Sequence, residues 1–225
     1  MNNYSKIILT AVFTIALSLS FCFASTDSYA STDSIKKEIK AKEKVVRKIL
    51  KQPAKAGSKK QAAKEADLKD TINKLFDFEE LGMRALEMHW DDLSKEKQQE
   101  FVSLLQQLIE KNYLLKTAKT TKYKLKWGTI VPEDEYFVLG FKIKSGKYKA
   151  TIQFRILEKN STPVVFDMLI DDVSLMENYR SQFNRIIKKD GFEKLLEKMR
   201  NRLNELEKPA KAKADDKKGE VVKPL

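Results

Sequence analysis

Cysteine, histidine and glycine are all scarce in this chain, and each scarcity closes off a kind of chemistry. The single cysteine, Cys22, lies in an apolar N-terminal segment with the features of an export signal. Once that segment is removed no thiol remains, so neither a disulfide nor a cysteine-based metal site can form. His89 is the only histidine, leaving one centre for a Ser-His-Asp triad or a histidine metal site. It sits in Met88-His89-Trp90 at the end of an apolar helical pattern, where a structural histidine near a helix C-terminus is the simpler reading. With seven glycines in 225 residues, no Gly-rich phosphate loop opens a helix: Gly140 falls on a strand and Gly146 in a hairpin. No G-x-S-x-G elbow occurs either. Asp167 and Asp171 are the one carboxylate pair worth weighing, but on a regular strand they stand about 13 Å apart, far for concerted acid/base work. At strand ends they can accept bonds from backbone amides or from Arg180 and Arg185, with Glu135 and Glu158 in similar positions. A small hydrolase or isomerase acting through Asp167, Asp171 or His89 is the enzymatic alternative to a non-enzymatic reading. No cofactor or metal is implied.

What is abundant is positive charge, unevenly spread. The formal net charge is +12. Residues 33–64 carry 12 Lys and Arg against 3 Asp and Glu, whereas 204–225 carry 6 against 5. A basic arm thus precedes a nearly neutral body. Such an arm is a solvated helix kept soluble by its charges, or a segment that makes transient contact with anionic lipid surfaces. Export, and confinement of the charge to an arm, argue against a nucleic-acid partner.

The N-terminus reads as a targeting segment over residues 1–24. Lys6 supplies the positive charge, 7–23 is an uncharged apolar run, and small residues follow at Ala24, or at Ser28 and Ala30. A retained membrane anchor competes, because the run is near the minimum spanning length, but no basic stop-transfer cluster follows. Leu19-Ser20-Phe21-Cys22 resembles a lipobox, against which the bulky Phe21 argues. About 180–200 residues remain, enough for one domain with a well-buried core.

Beyond the signal, 25–65 is a basic helical arm and linker, 66–206 the folded domain, and 207–225 a disordered Lys-rich tail. Ile35, Ile39, Val46, Ile49 and Leu50 approximate one stripe of a helix over 34–51, capped by Asp33 or Ser34; 52–64 is a break. Leu68, Ile72 and Leu75 begin a short helix. Asp77 and Ser94 cap two more, the second carrying Phe101, Leu104, Leu105, Leu108 and Tyr113 at helical spacing. The period then changes. Tyr123, Leu125 and Trp127 alternate with lysines; Phe137, Leu139, Phe141 and Ile143 form the next strand; Ser145-Gly146 turns the chain into Ala150, Ile152, Phe154 and Ile156. Asn160 to Pro163 turn it again into Val164, Val165, Phe166, Met168, Leu169 and Ile170, a run that suits a strand buried on both faces. The expected fold is α+β: N-terminal helices, a four-stranded antiparallel sheet and C-terminal helices.

Residues 166–199 hold the most specific pattern: strand, Ser174 cap with Glu177 at the capping-box position, amphipathic helix, Gly191 stop after Lys188 and Lys189, and a second helix. This block, D-M-x-I-x-x-V-S-L-x-x-x-Y-R-x-x-F-x-x-I-x-x-x-x-G-F-x-x-L, resembles the MlaC (toluene tolerance) family of periplasmic phospholipid-binding proteins. Residues 76–113 resemble the same family's helical half. Asp172 stands where the family often has Gly. The resemblance implies a curved sheet and helices enclosing a deep apolar pocket for acyl chains, with the headgroup near solvent. It also implies a monomeric periplasmic carrier, exchanging glycerophospholipid between an inner-membrane ABC-type transport complex and an outer-membrane lipoprotein complex; a hopanoid-like apolar lipid is the alternative cargo. By that likeness the pocket wall is Met168, Ile170, Val173 and Leu175, closed by Tyr179 and Phe183, with Phe101, Leu105, Phe137, Phe141, Ile152 and Phe154 as further lining. Periodicity by itself is equally satisfied by a filled core, Tyr179 and Arg180 can instead knit helix to sheet, and a bulge in the last strand would shift which side chains face inward.

Overall fold

Helices lie at both ends of the described chain and an antiparallel sheet in its middle. The computed structural model describes residues 32–55, 57–114 and 123–207; the signal segment and residues 208–225 of the expected tail lie outside them. Helix α1 runs Thr32–Lys51, beginning earlier than the apolar stripe suggested, and buries Ile35, Ile39, Ile49 and Leu50. The break after it is shorter than expected. Ser58 caps α2 (Lys59–Asn73), its hydroxyl accepting from the Gln61 amide at 3.2 Å, so Lys59 and Lys64 are helical. The cause of the tight connection is Lys64 itself. It is buried, and its ammonium donates to the carbonyls of Leu50 at 2.8 Å and Gln52 at 3.2 Å, satisfying the negative end of α1.

Helix α3 (Phe78–Leu86) is capped by Asp77, which accepts from the Glu80 amide at 2.9 Å, and ends in a 3₁₀ turn at Glu87–His89. Ser94 caps α4 (Lys95–Ile109), which passes into a π turn at Glu110–Leu114. Helix α5 (Leu175–Asp190) stops at Gly191, whose φ of 84° is the left-handed geometry glycine takes without penalty, and α6 (Phe192–Glu207) follows. The apolar stripes of α3 to α6 meet in one cluster that includes Leu81, Leu86, Leu108, Leu195, Leu196 and Met199.

Strands β1 (Lys124–Pro132), β2 (Phe137–Ser145), β3 (Tyr148–Lys159), β4 (Thr162–Ile170) and β5 (Val173–Ser174) pair antiparallel in sequence order. The sheet therefore has five strands, not four. The fifth is two residues long and exists because Asp171 and Asp172, at φ 48° and 66°, fold the chain back on β4. Aspartate tolerates this region better than most residues. Here the turn is also tied down: the Thr151 amide donates to Asp171 Oδ1 at 2.8 Å, and Gln153 donates to Asp172 Oδ1 at 3.0 Å. Asp172 thus makes the turn in glycine's place. Asn160 and Ser161, at φ 51° and 59°, make the β3–β4 hairpin in the same hand.

Two irregularities set the side-chain parity. In β1 the register shifts between Trp127 and Ile130, where Gly128 lies so close to β2 that a Cβ would meet the Gly140 carbonyl oxygen at 2.7 Å. In β4, Val165 pairs with Ile156 and Asp167 with Arg155, leaving Phe166 as the extra residue of a bulge.

Candidate functional site

Residues directly opposite in an antiparallel ladder share a face, so the registers define rows across the sheet. Leu125, Ile143 and Ala150 form the first row, toward the β2–β3 hairpin. Trp127, Phe141, Ile152, Ile170 and Val173 form the second, and Ile130, Leu139, Phe154 and Met168 the third. Phe137, Ile156 and Val165 form the fourth. Every one of these side chains is apolar.

Coverage of this face is graded. Ile156, Val165 and Leu139 of the third row are fully buried and Phe137 nearly so, because Ile35 and Ile39 of α1 and Leu75 pack in one cluster with them. Phe141 and Ala150 are buried among their neighbours, but Leu125, Trp127, Ile143, Ile152, Phe154, Met168 and Ile170 are only partly buried, and Val173 is 52 % exposed. A line of rings crosses the face from α3 to the β1 edge. Phe78 stacks on Phe76 with centroids 5.9 Å apart, Phe76 meets Phe154 edge-on at 5.9 Å, Phe154 meets Phe141 at 5.0 Å, and Phe141 meets Trp127 at 5.3 Å. The Lys40 ammonium lies 5.6 Å from the centre of the Trp127 ring. At this end of the sheet an open cleft of about 550 Å³ is lined by residues of β1 to β3, Leu125, Ile143 and Ala150 among them, together with lysines of the same strands.

The residues anticipated from sequence fall into two groups. Phe137, Phe141, Ile152, Phe154, Met168, Ile170 and Val173 share the apolar sheet face. Phe101, Leu105, Leu175, Tyr179 and Phe183 do not; they are buried in the helical cluster, where Phe183 stacks on Tyr179 at 5.3 Å and meets Phe101 edge-on at 5.3 Å. Met168 touches that cluster and so borders both. Ile143, grouped with Phe141 by strand alternation, also belongs with the face; Trp127, Leu125, Ile130 and Phe76 belong with it but were not anticipated as lining. For Leu125 and Trp127 the signal was the alternation of 123–127, which places them on one side without saying of what.

The polar candidates do not converge on one point. Asp167 is fully buried, with every partner internal. It accepts from Ser174 Oγ at 2.7 Å, from the amides of Met168 and Met176 at 2.8 and 3.0 Å, and from Arg155 at 3.1 Å. The partner is Arg155 of β3, not Arg180 or Arg185; Arg180 donates to the Arg84 carbonyl at 3.1 Å and pairs with Glu87. The Glu177 carboxylate takes Arg155 at 2.9 Å, while the Glu177 amide donates to Ser174 Oγ at 3.0 Å. Burial acts to lower the Arg155 pKa, but Glu177 and Asp167 outweigh it and hold the guanidinium above its ordinary value. Asp171 is exposed and engaged in its turn, so the two aspartates do not converge. His89 lies in the 3₁₀ turn, its Nε2 buried without a partner. Among the described residues no cluster of three or more His, Cys, Asp or Glu is placed to hold a metal ion, and no helix is long and apolar enough to cross a membrane.

Comparison with known proteins decides the family. A family model described as MlaC protein matches residues 40–201. The chain belongs to the MlaC family. That match begins within α1 and ends within α6, so it takes in the whole sheet, the apolar face and the helical cluster. Among solved structures, a phospholipid-binding protein of Ralstonia solanacearum, determined in complex with a phospholipid, superposes with a TM-score of 0.67 at 18 % identity, covering 76 % of this chain and 98 % of that one. The MlaC fold is therefore present over nearly the full length of that neighbour. No curated protein matches the chain.

Proposed function

We propose that this MlaC-family protein is a periplasmic phospholipid carrier, exported by a cleaved signal peptide, that takes glycerophospholipid between an inner-membrane ABC-type transport complex and an outer-membrane lipoprotein complex. The observation that carries the reading is the graded apolar face: rows of aliphatic and aromatic side chains closed at one end by α1 and open at the other. The solved neighbour's phospholipid complex and the family membership support it. A phospholipid crossing water exposes its acyl chains at about 0.8 kcal/mol per methylene, so a carrier must supply an apolar surface of comparable length. In this reading acyl chains lie along Trp127, Phe141, Ile152, Phe154, Met168 and Ile170, and the headgroup stays at the open end. Phe101, Leu105, Leu175, Tyr179 and Phe183 form the packed helical wall behind them. Carriage of this kind asks for no reaction, metal or cofactor.

The test is organic extraction of the purified exported chain followed by lipid mass spectrometry, with uptake from vesicles measured in parallel. Co-purifying or acquired glycerophospholipid is expected. A chain free of lipid and unable to acquire any refutes the proposal, and a phosphorus-free apolar lipid in the extract replaces the cargo with a hopanoid-like one.

A further inference from the structure

Two lysines of α1 reach the β1 edge of the apolar face with no acid to answer them. Lys36 and Lys40 stand one helical turn apart and both are partly buried; like charges at that spacing destabilise a helix. The Lys36 ammonium donates to the Gly128 carbonyl at 2.6 Å, and the Lys40 ammonium lies 5.6 Å from the centre of the Trp127 ring, so both arrive at the same short piece of β1. Neither joins an ion pair among the described residues, and Lys40 makes no hydrogen bond to them. The next turn of α1 is matched instead. Arg47 pairs with Glu43 at 2.6 Å, and Glu43 also accepts from the Tyr123 hydroxyl at 2.9 Å. An ammonium carries three donors, so most donors of the Lys36–Lys40 pair have no acceptor among the described residues.

We propose that Lys36 and Lys40 hold the phosphate of the carried lipid, and that Lys40 makes the apolar face select a phosphodiester-bearing cargo over a neutral one, an inference that rests on the carrier reading above. Position supports it. Trp127 stands in the second row, beside the open first row, while Ile35 and Ile39 of the same helix belong to the cluster over the covered rows. An acyl chain laid along the face toward the covered end leaves its phosphate near the open rows, on the side where the two ammonium groups stand. Burial selects the kind of anion. An acidic protein surface meets the exposed Lys37, Lys44 and Lys48 first, whereas Lys40, recessed beside an indole, suits a small anion that arrives with an apolar cargo. A phosphodiester carries one negative charge over two unesterified oxygens, so it can accept from both ammonium groups at once. Partial exclusion of water beside Trp127 strengthens such bonds. A diacylglycerol offers the same chains but leaves the two like charges unanswered.

The experiment incubates the purified exported chain with vesicles of dioleoylphosphatidylglycerol containing a minor share of dioleoylglycerol, re-isolates the protein and measures the ratio of the two lipids it has taken up by mass spectrometry. Enrichment of the phospholipid over its share in the vesicles is expected. K40Q should lower that enrichment about tenfold, the worth of one charge-assisted hydrogen bond, while its urea midpoint stays near the parent's. K40R, which keeps the charge, should retain most of the enrichment. A chain carrying K37Q and K44Q, exposed on the same helix, should match the parent. Enrichment in K40Q equal to the parent's, or an equal fall in the K37Q/K44Q chain, overturns the proposal. Inorganic phosphate titrated into the chain by calorimetry separates the two sources of the anion: binding that K40Q abolishes, with an unchanged lipid ratio, assigns the pair to free phosphate and overturns the headgroup assignment. A chain that takes up both lipids without preference refutes only this inference; one that takes up neither refutes the carrier reading and this inference with it.

Discussion

Removing the Asp167 carboxylate tests whether the junction between β4 and α5 is held as the geometry requires. In Asp167→Ala four donors lose their acceptor: the Met168 and Met176 amides, the Ser174 hydroxyl and Arg155. Arg155 is the least affected, because its side chain is 20 % exposed and keeps Glu177 at 2.9 Å. The Met176 amide and the Ser174 hydroxyl are in buried contacts and cannot turn to water without opening the helix start. A stranded buried donor costs about 1–3 kcal/mol, and breaking a buried charge pair about 3–5 kcal/mol in all. These estimates describe the same groups, so they overlap rather than add, and the expected loss is about 3–5 kcal/mol. Against a typical total of about 5–15 kcal/mol, that is enough to unfold a large share of the molecules on mild warming.

Asp167→Asn keeps the shape and one acceptor oxygen, so it should cost less, about 2 kcal/mol. Urea unfolding followed by far-ultraviolet circular dichroism measures both, with the slope checked so that a change in midpoint reports stability. A double-mutant cycle with Arg155→Met should give a coupling well below the Asp167→Ala loss, because the amides and Ser174 carry most of it. A loss under about 1 kcal/mol for Asp167→Ala refutes the assignment.

Ile152→Asp sets a carboxylate in the second row of the apolar face, beside Phe141 and Ile170; retained phospholipid should fall at least tenfold by extraction while the fold persists in circular dichroism, and undiminished lipid places the cargo elsewhere. Ile39→Ala should cost about 2–4 kcal/mol in urea unfolding, since Ile39 is 2 % exposed against Phe137, Leu139 and Val165. Gly128→Ala should be destabilised by more than a surface Gly→Ala change, because the new Cβ meets backbone rather than a movable side chain. Burial raises the Tyr123 phenol above its ordinary value, helped by its bond to Glu43 at 2.9 Å; the stabilisation is whole below about pH 10 and is lost as pH rises above it, so Tyr123→Phe should show a smaller alkaline decline between neutrality and pH about 11. An identical decline in both proteins removes Tyr123 from that account.

Local chemistry was legible in the chain, and relations between distant segments were not. Ser174, Asp77 and Ser94 announce helix starts because a cap is decided within four residues. The two-residue β5 escaped notice because it depends on Asp171 meeting Thr151, a bond between strands. Lys64 looked like one more solvated lysine; only the fold places its ammonium over the carbonyls that end α1. The site divides the same way. Helical spacing correctly marks Phe101, Tyr179 and Phe183 as inward-facing, but every inward residue carries that signal, whether it packs on a neighbour or borders a cavity. Strand alternation likewise puts Phe141 and Phe154 on one side, yet the bulge at Phe166 decides that Met168 and Ile170 join them while Asp167 faces Arg155. One residue more or fewer in β4 would exchange those roles, placing the carboxylate on the apolar face and Met168 against the helix cap. The registration of a single strand thus separates an apolar wall from a structural ion pair, and a backbone irregularity of that size leaves almost no trace in composition or periodicity.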